Sequence, residues 1–172
     1  MKKRPYRAVA VNSVDAAEIR QTLNGQRLVV GVDVAKVDFA ATLMTQDGEH
    51  LKTVKWKHPA ETQDFLGLLQ RISPSRLEVA LEPTGAYGDA LMHGLRQAGS
   101  AVFLVSAKRA HDAAEVYDGV PSFHDAKSSV LIAKLHLSGI SRPWRVRNAA
   151  ERELAAALRT MDICTRGNCK AT

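Results

Sequence analysis

A chain of 172 residues, 45% of them hydrophobic, is long enough for one domain with a real core and too short for two of full size. Lysine and arginine outnumber aspartate and glutamate by 24 to 18, a net charge of +6, which is the mild basic bias of proteins that meet nucleic acid and equally of many soluble ones. No apolar run is long enough to span a bilayer, and none of signal-peptide length follows Met1-Lys2-Lys3-Arg4, so a cytoplasmic protein without membrane attachment is expected.

Residues 1–11 are basic and irregular. The next stretch opens at the cap-type Ser13 and stops at Asn24-Gly25, which predicts a short helix over 13–23. Leu28-Val29-Val30-Gly31-Val32-Asp33 is a continuous apolar run that halts at an acid, the pattern of a strand buried on both faces. Apolar residues then recur at Val37, Phe39, Ala41 and Leu43, and Gln46-Asp47-Gly48 supplies a hairpin turn before a strand over 49–57. These segments predict an antiparallel meander. A helix starting at Pro59-Ala60-Glu61 carries Phe65, Leu69 and Ile72 on one face and ends at Ser73-Pro74-Ser75.

Leu77-Glu78-Val79-Ala80-Leu81-Glu82 repeats the buried strand that halts at an acid. After it come a turn at Pro83-Thr84-Gly85, a helix over 86–97 closed by Gly99, a strand over 101–105, and helices over 107–116 and 125–138. The fold class is therefore α/β, a mixed sheet of an antiparallel three-strand meander plus two parallel strands, with flanking helices. Right-handed crossovers set the strand ending at Glu82 beside and parallel to the strand ending at Asp33. Neighbouring strands lie about 4.8 Å apart, so carboxylates at the same ends of two such strands can share one cation.

Four blocks carry a resemblance. Gly31-Val32-Asp33-Val34-Ala35-Lys36, Glu82-Pro83-Thr84-Gly85-Ala86-Tyr87-Gly88, Val105-Ser106-Ala107-Lys108-Arg109 and His124-Asp125-Ala126-Lys127-Ser128-Ser129-Val130-Leu131-Ile132-Ala133 follow one another in a telling order and spacing. They resemble the N-terminal domain of the DEDD insertion-sequence transposases related to the Piv invertase, over roughly residues 28–144. The resemblance implies a ribonuclease-H-like fold similar to the Holliday-junction resolvases, a Mg2+ or Mn2+ cofactor, DNA as partner, and homo-oligomers. It also implies metal-assisted DNA strand cleavage and transfer, completed by a C-terminal domain with a nucleophilic serine, and in some members a structured guide RNA.

Carried over residue by residue, the catalytic positions are Asp33, Glu82, Asp125 and Ser128, with Asp33, Glu82 and Asp125 as the metal ligands. The fourth position departs from the family, because Ser128 stands where an acid is expected. A hydroxyl brings no charge, and magnesium gives up its water reluctantly, so weak metal binding, recruitment of a nearby acid such as Asp118, and a decayed copy all stay open. A second register makes Ser122 the third position and Asp125 the fourth; the spacing to Ile132-Ala133 favours the first.

Lys36, Lys127 and Lys134 are the cations expected on phosphate, where they add salt-dependent affinity without sequence information. Arg142-Pro143-Trp144-Arg145-Val146-Arg147 reads equally as a nucleic-acid contact through Arg142 and Arg145 and as a linker packing its tryptophan. Taken alone, Asp33 is as good a turn cap as a ligand. Gly85 allows a backbone approach to phosphate and is otherwise a plain turn glycine. Tyr87 reads as a packing residue, and His111, His124 and His136 as ordinary polar histidines.

The chain divides into an N-terminal extension over 1–25, the transposase-like domain over 26–147, and a linker helix and tail over 148–172. The segment Ala149-Ala150-Glu151-Arg152-Glu153-Leu154 begins a strong helix former, whereas helical period is lost from Asp162, as in a truncation or frame slip before a serine domain. Cys164 and Cys169 lack partners at zinc spacing and read as free thiols. Two rival functions remain at this point. One is an inactive, truncated nucleic-acid-binding remnant, which Ser128 favours. The other is an actin-like or sugar-kinase ATP-binding half, against which the turn Val34-Ala35-Lys36 lacks phosphate-cradling glycines.

Overall fold

Two strands that halt at acids form the middle of one sheet. The structure, a computed structural model, describes residues 7–82, 87–118, 125–146 and 148–168, with the side chains of 114–118, 125, 126, 152, 159 and 162–168 outside the description. The elements are β1 (Val9–Ala10), a 3-10 turn (Val11–Ser13), α1 (Ala16–Leu23), β2 (Leu28–Asp33), β3 (Asp38–Thr45), β4 (His50–Lys57), α2 (Thr62–Ile72), β5 (Leu77–Leu81), α3 (Asp89–Gln97), β6 (Ala101–Leu104), α4 (Ala107–Asp118), α5 (Asp125–Leu137), β7 (Arg142–Pro143) and α6 (Ala149–Asn168). The sheet has seven strands in the order β1-β4-β3-β2-β5-β6-β7. The meander β2-β3-β4 is antiparallel, and β2-β5 and β5-β6 are parallel.

Alternation along β2 and β5 sorts the core into two layers. Leu28, Val30 and Val32 of β2 join Val79 and Leu81 of β5 in a cluster with Ile19 and Leu23 of α1, Phe65 and Ile72 of α2, and Leu91 and Leu95 of α3. Trp56 of β4 stacks on Phe65 there, with ring centroids 4.0 Å apart and planes at 10°. The opposite face is covered by α4 and α5. Ala80 of β5 packs with Ala110 of α4 and with Leu131, Ile132 and Leu135 of α5, and Val29 packs with Val130 and Ala133. Both faces of β2 are thus buried, as a near-continuous apolar run requires.

Helix α5 crosses β2 almost backbone to backbone, and Gly31 is what permits it. A Cβ on Gly31 would run into the Ser129 carbonyl oxygen and the Ala133 amide nitrogen, and would lie 2.8 Å from the Ala133 Cβ. Beside this crossing a buried hydroxyl chain ties the helix to the sheet. Thr42 Oγ1 lies 2.8 Å from Ser129 Oγ and 3.0 Å from Thr53 Oγ1, and Thr53 Oγ1 lies 2.8 Å from His50 Nε2. The far end of α5 is held by Glu78, only 3% exposed. Its carboxylate accepts from Arg27 Nη1 at 3.1 Å, Arg76 Nε at 2.8 Å and His136 Nε2 at 3.1 Å, while His136 Nδ1 meets Ser141 Oγ at 2.7 Å. A buried carboxylate needs such partners to offset its lost hydration.

Four local features differ from the sequence reading. The cap of α1 is Asp15, whose side chain accepts from the Ala17 amide at 2.8 Å, while the Ser13 hydroxyl donates to the Ala10 carbonyl. Val9–Ala10, read as irregular, adds a parallel edge strand to β4. Arg142–Pro143, for which no strand was expected, pairs antiparallel with β6; proline is tolerated because β7 is an edge strand. Helix α6 does not lose its period at Asp162 but continues to Asn168. Its start is fixed by a reciprocal cap, in which Asn148 Oδ1 accepts from the Glu151 amide and Glu151 Oε2 from the Asn148 amide, and propagation from a formed first turn then carries the less helix-prone residues. The segment Pro83-Thr84-Gly85 lies outside the described residues, as do Ser122, His124 and Cys169.

Candidate active site

Asp33 is the last residue of β2, and Glu82 immediately follows β5. Both stand one residue beyond the register pair Val32–Leu81, so they occupy equivalent tips of adjacent parallel strands. Strand alternation fixes their direction. Val32 and Leu81 point to the layer of α1, α2 and α3, so Asp33 and Glu82 point to the opposite face, toward α4 and α5. There they line one cleft of about 390 Å³ with Ala107, His111 and Ser128. Two acids about 50 positions apart in sequence are thus neighbours because β2 and β5 pair in parallel.

Ser128 reaches the cleft from the first turn of α5, whose register over β2 is set by the Gly31 crossing. Asp125 opens the same helix three residues earlier, and positions i and i+3 share a face. Its side chain is outside the described residues. Both carboxylates are half-buried. Burial pushes the Glu82 carboxyl above the ordinary glutamate value, because partial desolvation disfavours its charged form.

The donor set consists of two carboxylates and a hydroxyl, all hard oxygen, which fits a hard divalent cation and not a thiolate-seeking metal. Among the described residues no group of three or more histidine, cysteine or acidic side chains could hold a metal. The two strand-tip acids therefore stand together on one cleft wall, with α5 the element that faces them across the cleft.

Of the expected phosphate cations, Lys36 is exposed in the turn after β2, close in sequence to Asp33, and Lys127 and Lys134 are half-buried on α5. Arg142 is exposed on β7, and Arg145 is engaged by Glu151, with Nη1 2.8 Å from Oε2. None of these cations lines the cleft. Sequence reasoning missed His111, because a lone histidine on an exposed stretch of α4 reads in sequence like any solvated side chain; it lines the cleft wall. It also missed the buried role of His136. Tyr87, read as a packing residue, is 47% exposed.

The transposase family DEDD_Tnp_IS110 matches residues 30–166. The chain belongs to this family of DEDD transposases. The match runs from β2 into α6 and so contains both strand-tip acids and all of α5. No curated protein matches. Among solved structures, T. thermophilus RuvC in complex with a Holliday junction substrate is similar at a TM-score of 0.51 and 16% identity, covering 69% of this chain and 100% of that one. A second Thermus thermophilus RuvC structure has a TM-score of 0.47 at 16% identity, over 68% of this chain and 99% of that one. The transposase domain thus has the ribonuclease-H-like fold: a mixed sheet with helices on both faces. Among the described residues no helix is long and apolar enough to cross a membrane.

Proposed function

We propose that the strand-tip cleft is the cation-dependent active site of a DNA transposase, and that residues 26–147 form its catalytic domain, between an extension over 1–25 and a linker helix and tail over 148–172. The observation that carries this reading is the convergence of Asp33, Glu82 and Ser128 on one cleft in a chain of the DEDD family. The substrate is DNA. The RuvC structure of similar fold holds a Holliday junction substrate, which supports branched DNA as the class that this surface meets.

Asp33 and Glu82 would hold Mg2+ or Mn2+, with Asp125 as the third ligand and Ser128 at the fourth position. Bound there, the cation supplies Lewis acidity and offsets charge developing on a phosphodiester. The protein's own contributions are positional. β2 and β5 fix the two acids, and the Gly31 crossing fixes the helix that faces them. Lys36, Lys127, Lys134, Arg142 and Arg145 contribute phosphate affinity around the cleft and along the sheet edge.

A second reading is favoured by Ser128 itself. With a hydroxyl in place of the fourth carboxylate, the domain binds DNA without cutting it. Calorimetry separates the two: Mn2+ heat in the wild type that falls at least about tenfold in affinity in Asp33→Asn and Glu82→Gln supports the active site, since one lost carboxylate removes a full charge from the ion's shell. Equal heats in all three proteins, or none in any, leave the DNA-binding remnant.

A further inference from the structure

We propose that the groove between α3 and the β6–β7 edge binds single-stranded DNA, with an unpaired base against Trp144 and the flanking phosphates on Arg96 and Arg142. The groove has a volume of about 410 Å³ and is lined by Arg96, Gly99, Ser100, Val102, Pro143 and Trp144 among others, within the range of roughly 300–1,000 Å³ typical of ligand sites. This site deepens the nucleic-acid reading above and rests on it.

The register of β7 places Trp144 in the groove and Arg142 beyond it, toward the end of β6. Leu104 pairs with Arg142 and Phe103 with Pro143, and the Trp144 amide donates to the Val102 carbonyl at 2.8 Å. Paired residues in an antiparallel ladder share a face. Arg142 and Trp144 therefore lie with Val102 and Leu104 on the side of the sheet that α3 covers, where Arg96 comes from α3. His93, one turn before Arg96, meets the Trp144 ring at 88° and 5.1 Å between centroids, which holds the indole in place.

The groove also contains an unmet hydrogen bond. Ser100 is only 7% exposed, and its hydroxyl, itself closed to solvent, is without a partner among the described residues. Buried hydroxyls are ordinarily satisfied, so the unmet Ser100 hydroxyl in the groove wall is left for a polar ligand atom that enters as the wall shifts to admit it. A base edge brings such an atom. The combination of an aromatic ring, a polar group and two exposed arginines is what base stacking with a phosphate track uses. An indole set in a groove is reached by an unpaired base and not by one stacked within a duplex, so the occupant is single-stranded. The groove opens at the start of β6, whereas Ala107 of the cleft follows its end, so the two sites lie at opposite ends of one strand. A strand separated near the cleft could be held at the groove.

The test uses intrinsic fluorescence, because the protein has two tryptophans and the other, Trp56, is 2% exposed beneath Phe65. The full chain is titrated in EDTA with oligothymidylate of about 12 nucleotides, a length within known single-strand site sizes. Emission is expected to quench on binding and to lose that response in Trp144→Phe. Arg96→Ala/Arg142→Ala, both at exposed positions and so without a folding penalty, weakens binding about tenfold and reduces the slope of log affinity against log salt by about 1.4, two contacts at 0.7 each. Ser100→Ala weakens binding several-fold with no loss of melting temperature, since it removes an unpartnered hydroxyl. The proposal is overturned if oligothymidylate does not quench, if the double arginine variant keeps the wild-type affinity and salt slope, or if an oligouridylate of equal length binds at least as tightly. EDTA keeps divalent cations out of this measurement, so an incompetent strand-tip site leaves its outcome unchanged, and failure here leaves the Mn2+ calorimetry unaffected.

Discussion

Glu82 shows how burial and charge are balanced at a single side chain. Its carboxyl is pushed above 4.5 by desolvation, so between the unfolded and folded values the native state binds the extra proton. Stability conferred by that proton is lost as pH rises through the window. In metal-free buffer the melting temperature of Glu82→Gln should therefore gain on that of the wild type as pH climbs above about 4.5; a difference that stays constant with pH excludes burial as the cause. Ser128 makes the complementary case. Ser128→Asp adds a carboxylate on the cleft wall, and Mn2+ affinity measured by calorimetry should rise at least about tenfold, the effect of one added anionic ligand on a hard cation. The strand-tip placement of Asp33 and Glu82 was legible in sequence because a buried strand that stops at an acid sets that acid at its tip. His111 was not, since a lone histidine on an exposed helix face carries no periodic signal.

At the scale of elements, the helix that completes the cleft depends on contacts that no local pattern announces. Gly31 sits inside an apolar strand, where glycine ordinarily weakens pairing, and its reason is the α5 backbone lying against it. Gly31→Ala should cost at least about 3 kcal/mol, the upper end of overpacking penalties. It should lower the melting temperature by roughly 6–12 °C, at about 2–4 °C per kcal/mol for a chain of this size. An unchanged melting curve would show that the crossing is looser than described. The other end of α5 is fixed by the Glu78–His136 contact, so Glu78→Gln, which keeps the shape and removes the charge, should cost about 1.5–3 kcal/mol in chemical denaturation. The meander and the helices over the sheet were readable from their periods. The strands β1 and β7 were not, because two-residue edge strands owe their existence to the neighbours they pair with. The extent of α6 was misread for a related reason: its reciprocal Asn148–Glu151 cap nucleates a helix that residue preferences alone would end early.

For the molecule as a whole, one parallel pairing at the centre of the sheet brings two distant sequence positions onto one cleft. The topology was legible because right-handed crossovers leave few arrangements for this order of elements. What sequence alone did not determine was the exposed basic surface, where arginines are sorted by tertiary contacts: Arg145 to Glu151, Arg27 and Arg76 to Glu78, and Arg96 to the wall of a groove. The claim on which the functional account depends is that Asp33 and Glu82 ligate a common divalent ion. Crystals of the protein soaked in Mn2+ test it directly through anomalous scattering. The account predicts a peak within ligating distance of both carboxylates, at about 2.0–2.6 Å for oxygen ligands of hard cations. Saturating Mn2+ with no peak in the cleft, or with a peak that contacts neither acid, would contradict it.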